Sequence, residues 1–389
     1  MLRVMRPRVS VLVVLVALMS ACSSSGGADK SEPPTSSSAP STKAAAYPLD
    51  DTLRMDQIQV LASHNSYHGR PYPQVLAALY KSTAGLASTL DYAHAPLPKQ
   101  FAIGVRQIEL DVWSDPAGGK YAKPSFPIAQ GVHIPDNPVM NEPGFKIIHQ
   151  ADLDTNSTCL TFVLCLQLVK TWSDANPGHV PFGVQIEMKD DTANEPLFAE
   201  LEKEILTVFS RTDLVTPDDV RGNAATLGAA VRAHGWPTLG RTRGKVYFLL
   251  DNEGFRAAYL VGHPSLRGRL IFAPSSPGQD DAAFAKLNDP VGDATKIKAA
   301  LAAHMIVRTR ADADTGEARL NDHSHERVAL SGGAQIVSTD YEQPDPKLGN
   351  GYITRIPGGT PARCNPVTAP PGCKSTDVEN PALLRSKGP

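Results

Sequence analysis

A chain of 389 residues with 41% hydrophobic content can bury one large core or two small ones. Its 38 Lys and Arg balance 40 Asp and Glu, for a net charge of -2. It therefore lacks the basic field that a polyanionic partner requires, and no nucleic-acid partner is expected.

In chain order the first element is an export signal. Arg3, Arg6 and Arg8 precede an apolar run at 11–19, too short to span a bilayer as a mature helix, which meets Ser20, Ala21 and Cys22. The small residues ahead of Cys22 look like a bacterial lipobox, with Met19 where Leu is commoner. Residues 1–22 then form a lipoprotein signal peptide, and Cys22 becomes the lipidated N-terminus. Ordinary cleavage nearby with a soluble product is the alternative, so the chain is expected outside the cytoplasm, lipid-anchored to its own cell membrane or secreted. Residues 23–49, mostly Ser, Pro, Ala, Gly and Thr, have almost nothing to bury and read as a disordered tether.

From residue 50 to about 345, short β-branched apolar runs alternate with helical segments. The runs lie at 58–62, 104–112, 145–149, 182–188, 245–251, 268–273, 304–308 and 334–338, with helices expected at 73–92, 160–175 and 194–210 among them. Eight strands with helical crossovers predict an α/β fold, a single-domain (β/α)8 TIM barrel. A doubly wound open sheet would alternate similarly, but no Gly-rich phosphate turn follows the first strand. Residues 346–389 turn to Pro, Gly and polar residues, a short stapled tail. Beyond Cys22 the cysteines are Cys159, Cys165, Cys364 and Cys373, an even number in an exported chain. Proximity pairs Cys159 with Cys165 and Cys364 with Cys373. Neither pair has metal-ligand spacing with nearby histidines.

In such a barrel the working residues close the C-terminal ends of strands. The first run ends in His64 and Asn65, the second carries Glu109 and Asp111, the third ends in His149, and the fourth carries Glu187 and Lys189. An E-x-D pair on a strand is usually a solvated face and a lone His usually structural, but neither habit explains polar groups closing four successive apolar runs. Glu109 and Asp111 share a face, about 6 to 7 Å apart along an extended strand. With Glu187 they make three carboxylates that would repel or protonate unless a cation sat among them. The amide oxygen of Asn65 completes an all-oxygen set that suits Ca2+ better than zinc, with magnesium as the other hard ion. His64 and His149, expected on alternate strands, would flank one phosphate. One would stabilise charge on it and the other would protonate the leaving alkoxide.

SHNSYH from Ser63, IELDVW from Ile108, IIHQ from Ile147 and VQIEMKDD from Val184 together resemble the calcium-dependent phosphoinositide phospholipases C, in their bacterial and secreted branch. The similarity runs over about 52–341 and includes GWPTLGRTRGKVYFLLDN from Gly235 and VRTRADADT from Val307. It implies a TIM barrel in which Asn65, Glu109, Asp111 and Glu187 hold Ca2+, with His64 and His149 catalytic. The family cleaves the bond between phosphate and diacylglycerol in phosphatidylinositol. The inositol 2-hydroxyl attacks phosphorus to give a cyclic phosphate that water then opens, with Glu109 or Glu187 as the implied base. No PH, EF-hand or C2 module is evident. Lys189, Asp251, Arg308 and Arg310, late in their expected strands, would bind inositol hydroxyls or phosphates, or else close salt bridges at the barrel mouth.

A glycerophosphodiester phosphodiesterase would use a similar barrel, two histidines and an E-x-D metal pair, but Asn65 rather than Arg follows His64. A non-catalytic cell-surface binding lipoprotein would have no need of the whole polar set. The expected partner is a phospholipid or other phosphodiester at a membrane surface, met by a monomer. His68, His133, His323 and His325 fall in loop or helix contexts where exposure is expected, and the ADAD run at Ala311 lacks the Gly and terminal Glu of an EF-hand.

Overall fold

A computed structural model describes residues 47–385. The signal-peptide and Cys22 assignments, and most of the tether, lie outside the described residues. Tyr47, at the edge of the expected tether, is buried under the Arg243 guanidinium, which sits 3.5 Å from its ring centroid.

Ten strands follow in chain order: β1 (Ile58–Ser63), β2 (Val105–Trp113), β3 (Lys146–Ile147), β4 (Phe182–Met188), β5 (Val246–Leu250), β6 (Ile271–Phe272), β7 (Phe284–Lys286), β8 (Ile306–Arg310), β9 (Ile336–Thr339) and β10 (Ala362–Cys364). Eight of them run parallel in the order β6-β5-β4-β2-β1-β9-β8-β7. A parallel bridge from Pro274 to Phe284 brings the two ends of that path together, so the sheet is a nearly closed barrel. The expected TIM-like fold holds, but one strand is exchanged.

The run at 145–149 is not a barrel stave. Only β3 forms there, and it pairs antiparallel with the end of β2, Val112 opposite Ile147 and Trp113 opposite Lys146. The missing stave is β7, whose three residues are too few to show a period in the sequence. His149 therefore does not arrive on an alternate strand. It arrives on a hairpin return, held by the Trp113 indole N–H donating to the Ile148 carbonyl at 2.9 Å.

Alternation along the staves explains why polar residues interrupt apolar runs. In β2, Ile108, Leu110 and Val112 join the main apolar core, which also holds Phe162, Leu166 and Val169 of helix Phe162–Ala175. Gln107, Glu109 and Asp111 take the other face, where Arg308 of β8 reaches Glu109 across the barrel. Gly183 on β4 permits the close approach at this level. A Cβ there would come within 2.7 Å of Gln107 Cγ and 2.9 Å of the Tyr247 hydroxyl. Helix Phe162–Ala175 starts at Thr161, whose side chain accepts from Leu164 N–H.

The C-terminal segment packs onto the barrel. β10 pairs antiparallel with β1, and buried Glu379 receives two nitrogens of buried Arg106. Disulfides join Cys159 to Cys165 and Cys364 to Cys373. Among the described residues no helix is long and apolar enough to cross a membrane.

One buried histidine sets an acid limit on the fold. His179 Nδ1 donates to the Val180 carbonyl, and Nε2 lies 2.7 Å from the Ser173 hydroxyl in a fully buried pocket. Burial pushes its pKa down from 6.5 to about 4. The unfolded chain therefore takes up the proton first as pH falls. The contribution is intact above pH 6.5 and lost between about 6.5 and 4, amounting to about 3 kcal/mol. Urea melts across that window should show the loss, and His179→Gln should flatten it. An unchanged slope in the variant would contradict the assignment.

Candidate active site

The site lies at the C-terminal ends of β1, β2, β4, β8 and β9, with the segment after β3 folded over them. β1 stops abruptly because Asn65 takes the left-handed conformation, φ 47°, which Asn tolerates better than most residues. Its Nδ2 donates to the Tyr92 hydroxyl at 3.2 Å, while its buried Oδ1 has no protein partner.

Parallel register sets Asp111 beside Glu187 and Glu109 beside Gln185. Glu109, Asp111 and Glu187 each bring a carboxylate oxygen within 4.8 Å of the others. Burial pushes the Glu109 carboxyl up to about 8 against the pull of Arg308, and burial with Glu187 pushes Asp111 up to about 7. Lys189 stands between two of the acids, its Nζ 3.0 Å from Asp111 Oδ2 and 2.9 Å from Glu187 Oε1. The Asp111 contact is close in distance but lacks hydrogen-bond direction, so neither Asp111 oxygen has a true hydrogen-bond partner.

Carboxylates crowded at this depth, with an orphaned amide oxygen just past the end of the neighbouring strand β1, fit a hard divalent cation. The donors are all oxygen, which suits Ca2+, and Asn65, Glu109, Asp111 and Glu187 are the residues able to hold it.

Two imidazoles sit at this centre in opposite electrostatic settings. His64 Nδ1 lies 2.7 Å from Asp340 Oδ1, and Nε2 lies 3.9 Å from Glu109 Oε1 and 3.4 Å from Arg310 Nη1. Burial, with Arg310 beside it, brings the His64 pKa down to about 3 despite Asp340. His149 Nδ1 bonds Asp154 Oδ2 at 2.9 Å. There, burial is outweighed by the Asp154 bond and the Asp111 charge, and the His149 pKa is raised.

The four residues expected to contact substrate are all engaged in ion pairs. Lys189 is shared as described, and Asp251 accepts from Lys286 at 2.7 Å and from Gln185 at 2.6 Å. Arg308 pairs with Glu109 and donates to Ser338 at 3.2 Å, and Arg310 donates to Asp340 at 2.8 Å.

Sequence reasoning missed several members of this centre. Asp340 closes β9 as His64 closes β1, so the strand-end rule would have found it. Asp154 sits in a turn and carries no such signal. His68, expected at the surface, is fully buried, and its Nε2 bonds Asp154 at 2.7 Å. His133 is exposed as expected, while His323 and His325 are each about one-third exposed and paired with Glu326 and Glu317.

The family model described as phosphoinositide phospholipase C, Ca2+-dependent, matches residues 53–366. Comparison with curated protein sequences finds no match. Among solved structures, a calcium-dependent phosphoinositol-specific phospholipase C from a Gram-negative Pseudomonas species, in a myo-inositol complex, aligns with a TM-score of 0.51 at 18% identity, over 82% of this chain and 97% of that one. A Ca2+-dependent phosphatidylinositol-specific phospholipase C from Streptomyces antibioticus aligns at 18% identity and a TM-score of 0.48, over 76% and 96%. The Pseudomonas likeness, at 18% identity, speaks for the barrel alone, whereas the family match spans most of the chain. By that match the chain belongs to the calcium-dependent phosphoinositide phospholipases C, a family of phosphoric diester hydrolases whose cofactor is Ca2+.

Proposed function

We propose that this chain cleaves phosphatidylinositol between phosphate and diacylglycerol, forming a cyclic inositol phosphate that water then opens. The observation that carries the reading is the gathering of three carboxylates within 4.8 Å of one another at a strand-end cluster with two histidines, each held by its own carboxylate, Asp340 for His64 and Asp154 for His149. Asn65, Glu109, Asp111 and Glu187 would hold Ca2+, which would supply Lewis acidity to the phosphate and to the attacking hydroxyl.

The residues divide the remaining work. Burial notwithstanding, the bond to Asp154 raises the His149 pKa, and His149 delivers its proton to the departing diacylglycerol oxygen. His64, kept upright by Asp340, stands with Arg310 beside the phosphoryl oxygens as charge grows on them. Arg308 occupies one oxygen of Glu109 and Lys189 one oxygen of Glu187, so Glu109 or Glu187 would take the proton of the inositol 2-hydroxyl through its remaining oxygen. Lys189 and Asp251, the latter paired with Lys286, would bind inositol hydroxyls.

The test is incubation of the protein with phosphatidylinositol vesicles and, separately, with glycerophosphocholine, each with calcium and with EGTA. Diacylglycerol release from phosphatidylinositol alone, abolished by EGTA, is expected. Turnover of glycerophosphocholine with none of phosphatidylinositol would overturn the reading.

A further inference from the structure

The side chain of Asp154 accepts two hydrogen bonds among the described residues, and both arrive at Oδ2: His149 Nδ1 at 2.9 Å and His68 Nε2 at 2.7 Å. Its other oxygen, Oδ1, is buried without a protein partner. Without His68, the carboxylate that orients His149 would itself be oriented by His149 alone. His68 is the group that breaks this circularity.

The surroundings of His68 connect it to the other half of the site. Its ring stacks on Tyr92 at 4.3 Å between centroids and stands edge-on to His149 at 5.5 Å. The Tyr92 hydroxyl in turn accepts from Asn65 Nδ2. The backbone follows the same route. Gly69 N–H donates to the Asn156 carbonyl at 2.9 Å and Thr158 N–H to the Tyr67 carbonyl at 2.8 Å, stitching the loop after β1 to the segment after His149. An apolar ring of this size would fill the space without the cost of desolvating an imidazole, so packing alone does not account for a histidine here.

We propose that His68 is a positioning residue. By donating to Asp154 while stacked on Tyr92, it holds His149 in the Nδ1–H tautomer and in register with Asn65. The proposal rests on His149 being the proton donor of the reaction. It needs no participation by His68 in proton transfer.

The decisive variants are His68→Phe, which keeps the stack on Tyr92 and removes the donor, and His68→Gln, which restores an amide donor. For phosphatidylinositol, His68→Phe should lower kcat about 10- to 100-fold with little change in KM, and His68→Gln should recover most of the loss. A readout independent of turnover is nitrogen NMR of the His149 ring in calcium-free protein. At a pH where the His149 ring is neutral, the native chain should show one tautomer protonated at Nδ1, and His68→Phe a mixture. Should the phenylalanine variant not fold, His68→Asn, polar but too short to reach Asp154, gives the same reading. A folded donorless variant with native kcat and a single His149 tautomer would overturn the proposal. Native activity in His149→Ala would instead overturn the functional reading on which it rests.

Discussion

His149→Ala is expected to lower phosphatidylinositol turnover by about 100- to 10,000-fold, the span a positioned general acid or base contributes. The fold should tolerate the change. The His149 side chain is 17% exposed, and its loss removes one of the two donors to Asp154, a cost of about 1 kcal/mol. The sharper check varies the leaving group. An aryl ester of inositol phosphate departs as a phenolate that needs no proton, so the variant should lose far less rate on that substrate than on the lipid. A uniform loss on both would mean that His149 positions the phosphate rather than protonating the alkoxide. Lipid turnover within threefold of native would remove it from the mechanism.

Asp111→Asn should weaken calcium binding by at least about 100-fold, measured by calorimetry on substrate-free protein. Asp111 is fully buried and its oxygens lack a well-directed hydrogen bond, so beside the Lys189 ammonium 3.0 Å away its charge is left to balance a bound cation. Lys189→Met should act in the opposite direction. The ammonium lies about 3 Å from oxygens of both Asp111 and Glu187 and competes for them, so its removal should tighten calcium several-fold while impairing turnover. Because the carboxyls of Glu109 and Asp111 hold protons up to about 8 and about 7, calcium must displace those protons. The affinity of the native chain should accordingly fall as pH drops below 7. Native calcium affinity in Asp111→Asn would refute the ligand assignment.

Most of the centre was legible because it obeys a local rule. His64 and Asn65 after β1, Glu109 and Asp111 on β2, and Glu187 on β4 are polar residues at the ends of apolar staves, and the barrel gathers such ends at one mouth. His149 was found for a reason that fails in detail, since its apolar run is a hairpin return onto β2. The hairpin reaches the same mouth because β2 ends there. Asp154 and His68 were not legible. A carboxylate in a turn and a histidine in a loop look like solvated residues until the turn is laid across the loop.

Sequence by itself determined the fold class, the staves that carry the acids, and the hard, all-oxygen character of the ligand set, because side-chain periodicity and donor chemistry are local properties. Tertiary structure alone decided that Phe284–Lys286 closes the barrel and that each expected substrate-binding cation or anion is already paired. It alone also placed the two imidazoles in opposite electrostatic settings. Those outcomes depend on burial and on charges brought from strands more than two hundred residues apart, as with Arg310 and His64, and distance in space is not written in distance along the chain.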